Sequence, residues 1–233
     1  EALNRLTRDK NLKKDVLAFI NVPGWVGEVR EDLRERLDSG KDYDTPLECP
    51  FITHWLHNMS HDQVLDMLKY LNMSNSVDTK VKVVFVPCYL DGKDGILNEL
   101  YYDLLIGTDL SVYPSYYEPW GYTPLESIAF KVPTITTDLA GFGLWVNSLT
   151  GKNATLQDGV KVIHRTDYNY SEVADTIKDT ISEFSSLTST EINKIRKNAA
   201  NIAEKALWKH FIQYYYEAYD IALRNAAKRL SLN

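Results

Sequence analysis

The sequence YPSYYEPWGYTPLES, residues 113–127, combines features that an ordinary surface loop does not have. It holds five aromatic rings, three prolines and one glycine around two glutamates, Glu118 and Glu126. The run DLSVYP that leads into it is typical of a strand, and PLESIAFK after it is typical of a helix. Pro124 stands in the first turn of that helix, where a missing N–H costs nothing. The stretch therefore predicts a sharp strand-to-helix turn.

Apolar runs alternate with amphipathic stretches along the rest of the chain. The opening EALNRL resembles the middle of a helix, and Ser60 with Gln63 forms a capping box for another. Strands are predicted at 15–23, 51–58, 81–87, 109–114, 132–138 and 159–165. Further helices are predicted at 28–40, 60–72, 97–106, 122–131, 170–187, 189–207 and 208–229. This alternation predicts an α/β fold, a Rossmann-like parallel sheet with helices on both faces.

The composition limits the class of partner. The chain has 233 residues, 44% of them hydrophobic, and a formal net charge of −6. This balance favours neither nucleic acid nor an anionic membrane as a partner, and no apolar run approaches the ~20 residues of a membrane helix. The two cysteines, Cys49 and Cys88, are far apart and read as reduced thiols of a cytoplasmic protein, with a disulfide as the less favoured alternative.

The predicted turn has the chemistry of a phosphate site, because ligands of parallel sheets bind where strands end and helices begin. The N–H groups of Gly121, Tyr122 and Thr123 would be unpaired donors at the helix start. Glu126, one turn inside the helix, could accept hydrogen bonds from a sugar diol, and Glu118 could face the reacting atoms. Two carboxylates around such a turn predict a nucleotide sugar. Alternatively, both glutamates are surface charges and the aromatic residues fill a core.

The strings SYYEPWGYTPLE (115–126) and VPTITTDLAGFG (132–143) together resemble glycogen synthases of the animal and fungal type. That family consists of retaining glycosyltransferases with two facing Rossmann-like domains, the GT-B architecture. The resemblance extends over about residues 50–208 and implies that the chain is the C-terminal half. It implies a nucleotide-sugar-binding domain over 1–207, truncated at its N-terminus. Residues 208–233 would form a helix that crosses back to a missing N-terminal domain.

The resemblance also implies roles for individual residues. Glu118 corresponds to the active-site glutamate beside the donor glucose and the acceptor, and Glu126 to the glutamate that holds the donor ribose. Tyr101 falls where an aromatic ring stacks on the nucleotide base, although the neighbouring Tyr102 leaves that register open. The remaining implied donor contacts are Trp120, Gly121, Tyr122 and Thr123, with His54, Gly141, Phe142 and Gly143 as further candidates.

The reaction implied is transfer of glucose from a nucleotide-glucose donor to an α-1,4-glucan with retention of configuration. UDP-glucose is the favoured donor and ADP-glucose the alternative. The resemblance implies no cofactor and no metal, since backbone N–H groups and basic side chains stabilise the leaving diphosphate. The alternative function is a non-catalytic module of the same fold that binds a nucleotide or a glucan.

Two elements of the family pattern are missing from the sequence. An Arg and a Lys that neutralise the donor diphosphate would precede EALNRL, so we expect this chain to be a folded fragment that is inactive alone. The segment 187–205 carries a single arginine, Arg196, where animal and fungal enzymes have an arginine-rich regulatory helix. This difference favours a bacterial relative without control by a sugar phosphate.

Three histidines and one aspartate keep more than one interpretation. His54 and His57 could contact donor or acceptor or be structural, and as zinc ligands they would need two more partners, of which His61 is near. Asp138 could cap the following glycine turn or touch the donor. The aromatic residues of 208–229 have helical spacing and predict a helix packed on the sheet or on the missing domain.

Overall fold

The computed structural model describes residues 1–230, which form two compact units. Unit 1 combines Glu1–Thr108 with Arg165–Ile192, and unit 2 combines Asp109–His164 with the described chain from Asn193 onward. Both units draw on the range 1–207 that the sequence predicts as one domain. The predicted crossing helix 208–233 lies in unit 2 as far as residue 230, and its last three residues lie outside the described residues.

Strands and helices alternate along most of the chain, as the sequence predicts. The strands are β1 (Val16–Asn21), β2 (Val26–Val29), β3 (His54–Leu56), β4 (Val81–Val86), β5 (Ser111–Val112), β6 (Thr134–Thr137) and β7 (Val160–Ile163). The α-helices are α1 (Ala2–Leu6), α2 (Glu31–Ser39), α3 (Gln63–Tyr70), α4 (Tyr101–Ile106), α5 (Tyr122–Ala129), α6 (Gly141–Thr150), α7 (Tyr170–Ser186), α8 (Ser189–Lys205) and α9 (Trp208–Leu230). Among the described helices, none is long and apolar enough to cross a membrane.

Unit 1 contains one parallel and one antiparallel pair of strands. β1 and β4 pair in parallel over their full lengths, from Val16 opposite Val81 to Asn21 opposite Val86. β2 and β3 pair antiparallel, with an irregularity in register. The sequence does not predict the antiparallel pair, because VGEV is short and its glycine and glutamate disfavour a strand. Gly27 in that strand permits a close approach, since a Cβ there would lie 3.1 Å from the carbonyl oxygen of Trp55.

Two details of unit 1 differ from the sequence-based expectation. The N-cap of α3 is Asp62, not Ser60, because Asp62 Oδ1 accepts hydrogen bonds from the N–H groups of Val64 (2.9 Å) and Leu65 (3.0 Å). The predicted capping box of Ser60 with Gln63 is therefore wrong. The apolar run 15–23 predicts a buried strand, but β1 is not buried on both faces, since Leu17 and Phe19 are 56% and 44% exposed.

Unit 2 is built on a parallel sheet in the order β5-β6-β7. All four residues of β6 are buried between its neighbours. The core beside the sheet combines side chains from α5, α6, β7 and α8, among them Ile128, Phe142, Val146 and Ile202. α8 approaches the start of β7 so closely that a Cβ on Gly159 would lie 2.3 Å from the backbone nitrogen of Ala199. The mixed α/β fold with parallel strands is confirmed, although the strands form separate hydrogen-bonded sheets.

The helix α6 is the main element that the sequence does not predict. It begins at Gly141, inside the segment AGFG, where a loop is predicted. Glycines in the first turn lower the helix propensity and conceal the pattern. Tertiary packing requires them, because a Cβ on Gly143 would lie 2.1 Å from the carbonyl oxygen of Thr137.

Candidate functional site

The loop between β5 and α5 is held by backbone hydrogen bonds to the loop between β6 and α6. The N–H of Glu118 donates to the carbonyl of Leu139 (3.3 Å), and the N–H of Gly141 donates back to the carbonyl of Glu118 (3.1 Å). Next along the chain, the N–H of Phe142 donates to the carbonyl of Trp120 (2.7 Å). The backbone around Glu118 is therefore fixed by the segment Leu139–Phe142.

Gly141 is the point of closest approach between the two loops. A Cβ at this position would lie 2.3 Å from the carbonyl oxygen of Pro119, a distance that backbone atoms cannot accommodate without moving. The sequence indicates Gly141, Phe142 and Gly143 as further donor contacts, and that role stays a prediction. The structure gives the segment a positioning role, since it fixes the Glu118 loop.

The helix α5 begins with its donors directed at the turn. Gly121 occupies the N-cap position with φ 104° and ψ 78°, a left-handed conformation that favours glycine, and no side chain caps the helix. Within residues 1–230, the N–H groups of Gly121, Tyr122 and Thr123 have no hydrogen-bond acceptor. With the positive end of the helix dipole, these groups form an arrangement that suits a phosphate.

Glu118 and Glu126 stand on either side of this helix start. Both are half-buried, and neither carboxylate has a hydrogen-bond or ion-pair partner among the described residues. Glu118 precedes the cap, and Glu126 lies at the start of the second turn of α5. Two carboxylates that are not committed to the protein remain available to hydroxyl groups of a ligand.

The aromatic residues of the turn divide into one anchor and several exposed rings. Trp120 is half-buried, and its ring centroid lies 5.6 Å from that of Phe211, 5.8 Å from Trp145 and 6.2 Å from Phe142. Tyr122, in contrast, is 69% exposed. Because the Trp120 ring packs on protein, the structure supports an anchoring role for it, and its predicted contact with the donor stays a prediction.

Tyr101, the residue predicted to stack on the nucleotide base, belongs to unit 1. It is the first residue of α4 and is half-buried. Its ring lies 5.3 Å from that of Tyr102 at an interplanar angle of 57°, and Tyr102 is 44% exposed. Since both rings stand together at the start of the helix, the register between them stays open.

His54, also in unit 1, is committed to internal hydrogen bonds. It is 2% exposed. Because a carbonyl oxygen only accepts, the Nε2–H of His54 donates to the Asp94 carbonyl (2.7 Å), while Nδ1 lies 2.9 Å from the Thr53 hydroxyl. These contacts favour the structural interpretation of His54. The neighbouring His57 packs its ring against Trp25, with 4.9 Å between centroids.

The structure brings His54 together with Cys88 and Asp94, with one ligand atom of each lying within 4.8 Å of the others. We call these three residues the His54 cluster. Sequence analysis groups His54 with His57 and His61 instead, because Cys88 and Asp94 are distant along the chain. Burial, with Asp94 and Asp91 nearby, raises the pKa of the Cys88 thiol to about 11.

The carboxylate of the His54 cluster is also engaged within the protein. Burial alone would raise the pKa of Asp94, but bonds from the backbone N–H groups of Leu97 (2.8 Å), Ile96 (3.0 Å) and Asn98 (2.8 Å) outweigh it and lower that pKa. A metal ion would have to displace the proton of this thiol, and the other two groups are already bonded within the protein. The hydrogen bonds therefore favour a structural role for the His54 cluster over a metal centre.

A histidine that sequence analysis misses lies at the carboxyl edge of the unit 2 sheet. Asp138 follows β6 and His164 follows β7, and the Nδ1–H of His164 donates to Asp138 Oδ2 at 2.6 Å. The available signal is position, since both residues directly follow neighbouring parallel strands. The sequence allows Asp138 either to cap the glycine turn or to touch the donor, and the structure pairs it with His164.

A parallel α/β fold in which an uncapped helix start suited to a phosphate stands between two carboxylates is the arrangement expected of a glycosyltransferase that uses a nucleotide sugar. Comparison with known proteins agrees with this class. The sequence model of the glycogen synthase family matches residues 34–230. The chain therefore belongs to the glycogen synthase family, and its relatives are glycosyltransferases.

The relatives include fungal and animal proteins. Glycogen [starch] synthase isoform 1 of Saccharomyces cerevisiae is 30% identical over 177 residues, which cover 76% of this chain and 25% of that protein. Glycogen [starch] synthase of Neurospora crassa is 31% identical over 194 residues, or 83% of this chain and 27% of that protein. The Caenorhabditis elegans protein of the same name is 30% identical over 169 residues, or 72% and 25%. The chain thus spans about a quarter of the length of these relatives.

Proposed function

We propose that this chain supplies the donor-binding and catalytic half of a glucosyltransferase of the glycogen synthase type. The full-length protein would transfer glucose from a nucleotide-glucose donor to an α-1,4-glucan with retention of configuration. The observation that carries the proposal is the start of α5, where, among the described residues, three backbone N–H groups without acceptors stand between two carboxylates without partners. Membership of the glycogen synthase family supports the reaction class.

The helix start accounts for stabilisation of the leaving group. As the glucosyl bond breaks, negative charge accumulates on the nucleoside diphosphate. The N–H groups of Gly121, Tyr122 and Thr123 are held in place before the reaction, so they stabilise that charge without reorganising. Removing one such fixed donor typically lowers kcat about 10²- to 10³-fold in enzymes that use them.

The two carboxylates account for the two ends of the donor. Glu126 would accept hydrogen bonds from neighbouring ribose hydroxyls, a role that mainly affects donor affinity. Glu118 would lie beside the glucosyl group and the acceptor, where a carboxylate affects the reaction itself. Its backbone is fixed on both sides by Leu139 and Gly141, which keeps the main chain that carries the carboxylate in one place relative to the helix start.

We also propose the donor, the cofactor requirement, the location and the acceptor binding of the full-length protein. UDP-glucose is the favoured donor, no metal or other cofactor is required, and the location is cytoplasmic. The acceptor is bound with the help of a further domain, because the chain spans about a quarter of its relatives' length. The chain alone should therefore transfer no glucose at a native rate.

The test uses the full-length protein with an α-1,4-glucan primer and either UDP-glucose or ADP-glucose. We expect release of nucleoside diphosphate coupled to extension of the glucan, with α-linkages identified by NMR. Glu126→Gln should raise the donor KM about 10-fold or more, as expected for losing hydrogen bonds to a charged group. The matched control is Glu217→Gln, at an exposed position of α9. Nucleotide binding without transfer from either donor would contradict the proposal and favour a binding module.

A further inference from the structure

We propose that Phe211 of α9 is a positioning residue for the Glu118 turn and acts through the ring of Trp120. The inference rests on the proposed function, because it takes Glu118 as the reacting carboxylate. It adds a residue that neither the sequence pattern nor the family resemblance singles out. The four rings concerned, Trp120, Phe142, Trp145 and Phe211, are called the aromatic clamp below.

The other three rings of the aromatic clamp contact Trp120 from two helices. Phe142 and Trp145 belong to α6, which follows directly from the loop that bonds the Glu118 backbone. Phe211 belongs to α9 and meets the Trp120 ring edge to face, with centroids 5.6 Å apart and planes at 82°. Phe211 also meets Trp145, at 5.5 Å and 75°. Such edge-to-face pairs stabilise the packing beyond the effect of the area they bury.

The position of the Trp120 ring affects both ends of the candidate site. Trp120 lies between Glu118 and Gly121, and Pro119 stiffens the backbone between the ring and the carboxylate. The carbonyl of Trp120 already accepts the N–H of Phe142 at 2.7 Å. With backbone and ring both held, the main chain of Glu118 and the helix N–H groups keep one relative geometry. A displacement of ~1 Å in such a geometry can lower a rate about 10²-fold.

Phe211 lies in the first turn of α9, close in sequence to the end of α8. The N–H groups of His210 and Phe211 donate to the carbonyl of Leu207 at 2.8 and 3.3 Å, which fixes the first turn of α9 to the end of α8. α8 in turn is buried through Ile195, Ala199, Ile202 and Ala203. No described residue of α9 is buried, so the half-buried Phe211 does little to fill the core. Its contact with Trp120 is therefore better explained by positioning than by bulk stability.

The kinetic test compares three variants of the full-length protein at saturating donor. Phe211→Ala removes the ring and should lower kcat about 10- to 100-fold per folded molecule, because a small displacement of the Glu118 turn misaligns the reacting groups. Phe211→Leu keeps a smaller apolar side chain against Trp120, so it should lower kcat less than Phe211→Ala does, by about 3-fold or less. Tyr216→Ala, which removes an exposed ring from the same helix, should leave kcat unchanged. The folded fraction of each variant is measured by circular dichroism.

A second readout does not depend on activity. The full-length protein is labelled with 5-fluorotryptophan, and the Trp120 resonance is assigned from its loss in Trp120→Phe. Phe211→Ala should shift or broaden that ¹⁹F resonance, Phe211→Leu should shift it less, and Tyr216→Ala should leave it in place. A resonance that is the same in wild type and Phe211→Ala would overturn the inference, as would a kcat per folded molecule that Phe211→Ala does not change.

The proposed function fails separately. If wild-type protein transfers no glucose, or if Glu118→Gln retains activity, the assignment of the reaction is wrong, and the ¹⁹F measurement alone decides whether Phe211 positions Trp120. If Glu118→Gln is inactive while Phe211→Ala is fully active, the reaction stands and the positioning role of Phe211 is wrong.

Discussion

The turn at the start of α5 and the His54 cluster differ in what their polar groups are bonded to. Both lie just after parallel strands, the turn after β5 in unit 2 and Cys88 and Asp94 after β4 in unit 1. In the turn, N–H groups and two carboxylates lack partners among the described residues. In the cluster, both nitrogens of His54 and both oxygens of Asp94 are engaged within the protein. A gathering of polar residues thus indicates a ligand site only when its hydrogen-bonding capacity is not already used.

The pKa values lead to the same distinction. The raised pKa of Cys88 and the lowered pKa of Asp94 are the consequences of burial and of backbone hydrogen bonds that cap the loop after β4. Perturbed pKa values often mark functional sites, but structural networks produce them as well. Here the shifts belong to the region whose groups are bonded internally, so they point to a structural role.

The largest effect on activity is expected from a substitution at Gly141, where the Glu118 loop and the loop before α6 approach most closely. Gly141→Ala places a Cβ 2.3 Å from the carbonyl oxygen of Pro119, so the two loops must separate. We expect a loss of about 1–3 kcal/mol in the free energy of unfolding, the usual range for overpacking. We also expect kcat of the full-length protein to fall about 10²-fold, because the Glu118 loop moves.

Gly151→Ala is the matched control for Gly141→Ala. A Cβ at Gly151 would have no atom within 4 Å, although its φ of 68° adds backbone strain. Urea denaturation and steady-state kinetics measure both variants. If Gly141→Ala kept full activity, the positioning role of the Leu139–Phe142 segment would be refuted.

In the His54 cluster, a substitution of His54 should affect stability and not catalysis. His54→Ala removes the partner of the Asp94 carbonyl and one of the two partners of the buried Thr53 hydroxyl, whose other partner is the Phe85 carbonyl. The free energy of unfolding should fall by about 2–4 kcal/mol, from the lost hydrogen bonds and the cavity. The kcat per folded molecule of the full-length protein should not change. A stable variant with a much lower kcat would show that His54 acts on the substrate.

The smallest effect distinguishes the two thiols. A thiol with a pKa of about 11 is a reactive thiolate in about one molecule per thousand at pH 8, so Cys88 should react slowly with iodoacetamide. Cys49 is exposed and should react at least about 10-fold faster. The Cys88 rate should rise about 10-fold per pH unit until the pH approaches 11.

Mass spectrometry of tryptic peptides measures alkylation at each cysteine, and a Cys49→Ser variant confirms the assignment. Equal rates for both thiols at pH 8 would mean that the region after β4 is more open than the structure shows. Cys88 would then be available to a ligand, and the contrast between the two regions would be weaker.

Much of the fold can be predicted from the sequence, because long periodic segments carry a strong signal. The strand β4 and the helices α7, α8 and α9 lie within a few residues of their predicted bounds. The helix α6 cannot be predicted in this way, since Gly141 and Gly143 are selected by contacts with Pro119 and Thr137 and not by helix propensity. Likewise, the sequence predicts the parallel strands but not their division into separate sheets.

The candidate site is predictable as a list of residues but not as an arrangement. Rare residue types gathered in one turn are enough to indicate Glu118, Gly121 and Glu126. The bonds that join that turn to residues 139–142 arise from tertiary contacts, which residue types alone do not specify. The contact between Trp120 and Phe211 is of the same kind, because nothing in either local sequence indicates the other.

The most direct test of the central claim is the kcat of full-length Glu118→Gln with UDP-glucose and a glucan primer. We expect a fall of about 10²- to 10⁴-fold, the range for removing a catalytic acid or base, with an unchanged circular dichroism spectrum. His54→Gln, measured beside it and corrected for the folded fraction, should keep the wild-type kcat. If Glu118→Gln kept kcat within about 2-fold of wild type, a change far smaller than the expected fall, the turn at the start of α5 would not be the catalytic site.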